Sequence, residues 1–176
     1  MNNVEQKSGE RAKTRAMLLD VFNELLLSGE TGRPKVAEVI AGAGVARSTF
    51  YDHFDGIEAL LNESLSGLFA GFAQAIVTRR DPEFLVSLIE HIGENRAMAR
   101  EFLSGERGDR AQALFAQVIE RELDGRPDAR LTGILIAGTT LTALKNWVSG
   151  RISDDPRSLS ERLMATAGAI LSQQES

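Results

Sequence analysis

Apolar residues recur at three- and four-residue steps along almost the whole chain, and no segment alternates them with polar ones over a strand's length. From Lys13 to Leu27, the positions Leu18, Leu19, Phe22, Leu25 and Leu26 share one face of a helix that Gly29 is placed to end. A loop with Gly32 and Pro34 leads to Val36, Val39, Ile40 and Ala43, the same spacing over about two turns, closed at Gly44. Only Val45 separates that glycine from Ala46 and a third segment, Arg47 to Phe54, whose Phe50 and Phe54 stand four apart. Three short helices with so tight a glycine turn between the last two read as a helix-turn-helix.

Asp55 and Gly56 interrupt the pattern. Ile57, Leu60, Leu61, Leu65, Leu68, Phe69, Phe72 and Ile76 then trace a long fourth helix. Asp81-Pro82 is an N-cap followed by a proline in the first turn, opening a helix through Phe84, Leu85, Leu88, Ile89 and Ile92 to Gly93. Asn95 is a candidate cap for a short helix ended by Gly105, and Asp109 for the next, which runs to Gly125. Helices over Pro127 to Gly150 and Ser158 to Ser172 follow, parted by Asp154-Asp155-Pro156. The fold class is therefore all-α, with about nine helices. An N-terminal three-helix helix-turn-helix domain (1–56) is expected to precede a C-terminal helical domain (57–176).

The eighth helix is apolar nearly all round, with Leu131, Ile134, Leu135, Ile136, Leu141, Leu144, Trp147 and Val148, and such a helix must be covered on more than one side. Gly133, Ala137, Gly138 and Ala143 on it, and Ala165, Ala167, Gly168 and Ala169 on the ninth, would let two such pairs approach closely. A homodimer with a four-helix interface over about 127–150 and 158–172 is expected, since a two-fold pair is the commonest oligomer. The other reading is one central core helix inside a monomer.

Composition adds exclusions. At 43% hydrophobic the chain can bury a core, and without cysteine it can build neither a disulfide framework nor a thiolate metal site. The polar start, Met1 to Glu10, lacks a secretory signal's apolar stretch, and the uncharged run Leu131 to Leu144 falls short of the roughly 20 residues that span a bilayer. A cytoplasmic protein with no membrane span is expected. The net charge of -5 runs against nucleic acid as a partner, but its distribution softens that. Up to Ile57 seven bases face eight acids, so that part is nearly neutral.

The run Lys35-Val36-Ala37-Glu38-Val39-Ile40-Ala41-Gly42-Ala43-Gly44-Val45-Ala46-Arg47-Ser48-Thr49-Phe50-Tyr51-Asp52-His53-Phe54 resembles the TetR family signature. In that family a short helix ends at Ala-Gly-Val and a recognition helix ends in Tyr-x-His-Phe; Ala43-Gly44-Val45 and Tyr51-Asp52-His53-Phe54 match position for position. The resemblance covers the first third well, and the rest by helix order. It implies nine helices, a dimer through helices 8 and 9, and a ligand pocket among helices 4 to 8. Departures stand beside it. Ala46 replaces the usual serine cap, a loss of about 1 kcal/mol. Lys35 replaces a threonine, Ile40 a small alanine, and Ile57 a lysine that touches phosphate, a role Lys35 or Arg33 can take.

For such a protein the partner is double-stranded DNA. A recognition helix presents its N-terminal residues to base edges, here Arg47, Ser48 and Thr49. Arg47 suits paired hydrogen bonds to guanine, the other reading being a surface arginine with no partner; Tyr51 and His53 resemble the family's phosphate and sugar contacts, and Lys35 is a further candidate for phosphate. The basic stretch Lys7 to Arg15 either follows the DNA backbone or is a solvated start to the first helix. A small, largely apolar effector is expected, with Phe72, Leu88, His91, Asn95, Arg96, Phe115, Thr139 and Thr142 as candidate contacts. No cofactor or metal is expected. The rivals are a helical small-molecule-binding protein with a degenerate helix-turn-helix, and a helical-bundle enzyme. His53 and His91 are the only histidines and no Glu-x-x-His pair exists, so neither catalytic residues nor metal ligands stand out.

Overall fold

The computed structural model describes residues 2–28 and 34–173. Gly29, expected to end the first helix, Gly32 of the following loop, and Arg33, a candidate phosphate contact, lie outside them. The described residues form nine α-helices and no strand. They are α1 (Asn2–Ser28), α2 (Val36–Ala43), α3 (Arg47–Tyr51), α4 (Ile57–Ala73), α5 (Pro82–Glu94), α6 (Arg96–Phe102), α7 (Gly105–Glu122), α8 (Ala129–Val148) and α9 (Pro156–Ser172). Contacts group residues up to Leu65 into one compact unit and those from Ser66 onward into another, so the early turns of α4 pack with α1–α3. The sequence places the boundary at 56/57, where α4 begins.

In the first unit Leu18 and Phe22 of α1, Val39 of α2, Phe50 and Phe54 around α3, and Leu60 of α4 are buried together. Each such side chain contributes about 1.5–3 kcal/mol. The turn between α2 and α3 depends on Gly44. It adopts φ 63°, ψ 28°, and its N–H and that of Val45 donate to the carbonyls of Ala41 and Ile40, closing α2. Helix α1 starts eleven residues before the expected Lys13, at Asn2. The early turns carry polar residues, so apolar spacing could not mark them, and the stretch from Lys7 to Arg15 is helical.

In the second unit α4 continues into one π-turn, Gln74–Thr78, before Asp81 caps α5 by accepting from the Phe84 N–H at 3.1 Å. Ile57–Thr78 has the length and mean hydropathy (1.2) to cross a membrane, yet Leu60, Phe69, Phe72, Ala73, Ala75 and Ile76 along it are buried in the protein. Phe115 of α7 stacks on Phe69 and Phe72, with centroids 4.8 and 5.1 Å apart. Helix α7 starts at Gly105 and not at an Asp109 cap, and Asn95 donates from its side chain to the His91 carbonyl at the end of α5 instead of capping α6. Helix α9 starts at Pro156, two residues before the expected Ser158, and Asp155 caps it by accepting from the Ser158 N–H at 3.0 Å.

Helices α7 and α8 pack backbone to backbone. A Cβ at Gly133 would stand 2.6 Å from the Ala116 carbonyl oxygen, and one at Gly138 would meet the Gln112 side chain. Gly133 therefore serves a contact within the chain, where the sequence suggested the approach of a second copy. The outward side of α8 carries Leu131, Ile134 and Leu135, exposed by 56, 47 and 42%.

Candidate nucleic-acid interface

Helix α3 is a short rod with two sides. Phe50 and the following Phe54 are 0 and 3% exposed, while Arg47, Ser48, Tyr51 and Asp52 face solvent and Thr49 and His53 are half-buried. The four-residue spacing that buries the phenylalanines turns Arg47 and Tyr51 outward together. Ala46 precedes the helix at φ -72°, ψ 154°, without a side-chain cap, as its methyl side chain dictates. Lys35 stands extended and exposed before α2, where its N–H donates to the Glu38 carboxylate at 2.7 Å. Ile57 is half-buried against the first unit's core, so at the position where the resemblance leads one to expect a phosphate-touching lysine the side chain packs on the protein.

The far end of α3 is held by α1, which sequence reasoning missed. Arg11 donates to the Asp52 carbonyl at 2.9 Å and Arg15 to the His53 carbonyl at 2.7 Å, placing positive charge where the helix's free carbonyls gather. Arg15 also ion-pairs with Glu63 of α4, and its guanidinium stands 4.3 Å from the Phe54 ring centroid. Arg15 is thus engaged within the protein. Arginines one turn apart on α1 are a visible pattern, but their target lies about forty residues away, beyond local spacing. His53 Nδ1 is buried without a hydrogen-bond partner.

The candidate effector contacts are spread through the second unit. Phe72 and Phe115 are buried in the ring stack, and Leu88 and His91 are half-buried. Arg96 stands over the Trp147 ring at 4.5 Å and donates to the Trp147 carbonyl at 2.9 Å. Thr139 and Thr142 are exposed, and Thr139 bonds back to the Leu135 carbonyl of its own helix. An open depression of about 410 Å³ is lined by Glu90, Gly93, Glu94, Arg96, Trp147, Asp154 and Pro156, so it includes only Arg96 of the set. A second, of about 530 Å³, lies on Gln117, Glu120, Arg121 and Asp124 and includes none. Among the described residues no three His, Asp or Glu side chains gather as metal ligands would.

Residues 29–64 match the family model of bacterial regulatory proteins of the tetR family. No curated protein sequence matches the chain. Among solved structures, a TetR transcriptional regulator from Streptococcus agalactiae 2603V is similar at 22% identity and TM-score 0.57, over 94% of this chain and 99% of that one. The dihydroxyacetone kinase operon activator DhaS is similar at 16% identity and TM-score 0.53, over 92% of this chain and 96% of that one. At such identities these two establish the fold. TetR-family regulators bind DNA and small-molecule ligands and work as dimers. The segment 29–64 thus matches the TetR family model, and the chain has the fold of the solved TetR transcriptional regulator.

Proposed function

We propose that the chain is a dimeric, ligand-responsive repressor of the cytoplasm, without enzymatic activity, released from a pseudo-palindromic operator by a small, largely apolar molecule. The observation that carries the DNA-binding half is the outward edge of α3. Arg47 and Ser48 are exposed at the helix's leading end while Phe50 and Phe54 fix it from below. Arg47 reads guanine through O6 and N7, Ser48 and Thr49 reach base or phosphate, and Tyr51, His53 and Lys35 hold the backbone. With Nδ1 of His53 buried, only its other ring nitrogen is left for a phosphate.

The dimer forms through α8 and α9, supported by exposed Leu131, Ile134 and Leu135 on α8 and exposed Ala165 and Ala169 on α9. Two copies then present α3 to half-sites one helical turn, about 34 Å, or a multiple of it apart. The effector enters among helices 4 to 8, near Phe72, Leu88 and Phe115, with His91, Asn95, Arg96, Thr139 and Thr142 as the polar candidates. Because Phe69, Phe72 and Phe115 are stacked there, an effector must part them, and it favours the state in which they are parted. DNA and effector then weaken each other's binding equally.

Selection from random duplexes tests the reading, with wild type and Arg47→Ala compared at several salt concentrations. Enrichment of a pseudo-palindrome, with affinity falling as salt rises and base preference changed in the variant, supports it. A folded dimer that binds no duplex at low salt would instead point to a degenerate helix-turn-helix, in keeping with uncapped Ala46 and half-buried Ile57.

A further inference from the structure

The two exposed ends of α3 touch each other. The Arg47 guanidinium carbon lies 5.5 Å from the centroid of the Tyr51 ring, and one of its terminal nitrogens is 3.4 Å from the phenolic oxygen. At that length the hydrogen bond is weak, so the contact is chiefly between cation and ring. The Tyr51 ring is itself supported from below. It meets the buried Phe50 edge-on, centroids 5.4 Å apart at 83°, and Phe50 leans on Phe54 at 6.0 Å. A line of aromatic rings thus runs from the core of the first unit to the guanidinium proposed to read a base.

We infer that Tyr51 is a positioning residue for Arg47: its core-supported ring holds the guanidinium on the outward side of α3, and base discrimination by Arg47 depends on that ring. The inference rests on the reading above in which Arg47 contacts guanine. Paired bonds to O6 and N7 require the planar guanidinium in one orientation, and an arginine over an aromatic face keeps N–H groups at its edge available to a further acceptor. An unsupported arginine on a five-residue helix must be ordered at the moment of binding, which weakens the correct complex and its advantage over the wrong one. The ring's contribution is separate from that of the Tyr51 hydroxyl, which is proposed to touch phosphate and carries no sequence information.

The test uses the full-length protein and the selected operator, with each base pair of a half-site substituted in turn. Competition binding is measured for wild type, Arg47→Ala, Tyr51→Phe and Tyr51→Leu, and circular dichroism checks the fold. Arg47→Ala is expected to flatten the preference at one symmetry-related pair of positions. Tyr51→Phe, which keeps the ring, should retain that preference while affinity drops alike for all duplexes. Tyr51→Leu should lower the preference at the same pair by about two- to fivefold, the equilibrium weight of an exposed cation–ring contact. Should Tyr51→Leu not fold, Tyr51→Gln is measured in its place. An undiminished preference in the ring-less variant overturns the positioning role and leaves base reading by Arg47 intact. An unchanged preference in Arg47→Ala overturns both.

Discussion

Replacing Arg15 by methionine removes the charge and keeps most of the stem. Three contacts go at once: the hydrogen bond to the His53 carbonyl at 2.7 Å, the ion pair with Glu63, and the stack over Phe54 at 4.3 Å. The ion pair is part-exposed, at 41 and 33% for the two side chains, and so contributes about 0.2–1 kcal/mol. A charged donor at a helix's carboxyl end adds about 0.3–1 kcal/mol, and the cation over the ring about 0.5–1 kcal/mol. These overlap, because one guanidinium makes all three, and a loss of about 1–2 kcal/mol is expected for Arg15→Met. Glu63→Gln should cost less than half of that, since the backbone and ring contacts survive. Urea denaturation followed by circular dichroism measures both. A loss below about 0.5 kcal/mol for Arg15→Met, or an equal loss for the two variants, would refute the clamp on the end of α3.

Ala46→Ser supplies the missing cap of α3 and should raise stability by about 1 kcal/mol, read as a higher denaturation midpoint; no gain would mean the α3 amino end is already satisfied. Gly133→Ala drives a methyl against the Ala116 carbonyl and should cost about 1–3 kcal/mol, whereas Gly138→Ala meets only a side chain at 3.6 Å and should be neutral or better; equal effects in thermal melts would contradict the close approach of α7 and α8. The Arg157 guanidinium holds the Glu83 carboxyl below its ordinary range, so its contribution is present at neutral pH and disappears as pH falls through that lowered value. Wild-type and Glu83→Gln stabilities should therefore differ slightly at neutral pH and converge in acid, and parallel profiles would contradict the pairing.

Much of the fold was legible because its signals are local. The steps from Leu18 to Phe22 and from Phe50 to Phe54 mark buried faces, Asp81-Pro82 announces α5, and Gly44 needs only its own backbone angle to close α2. What escaped depends on distant partners. Nothing near Arg15 in sequence reveals His53 or Glu63, and nothing near Gly133 reveals that α7 claims it before a second copy can. Polar helix starts were equally silent, at Asn2 and at Gly105, because hydrophobic spacing cannot register turns without hydrophobic residues. At the proposed DNA-facing site the residue types and their spacing marked the outward edge of α3, while the aromatic support beneath Arg47 appears only in three dimensions.

Guanine N7 methylation interference on the selected operator examines the entry of α3 into the major groove most directly. Methylating one guanine in each half-site, the two related by the operator's dyad, is expected to block binding of the wild type and to be tolerated by Arg47→Ala. Binding indifferent to N7 methylation throughout the site would contradict it.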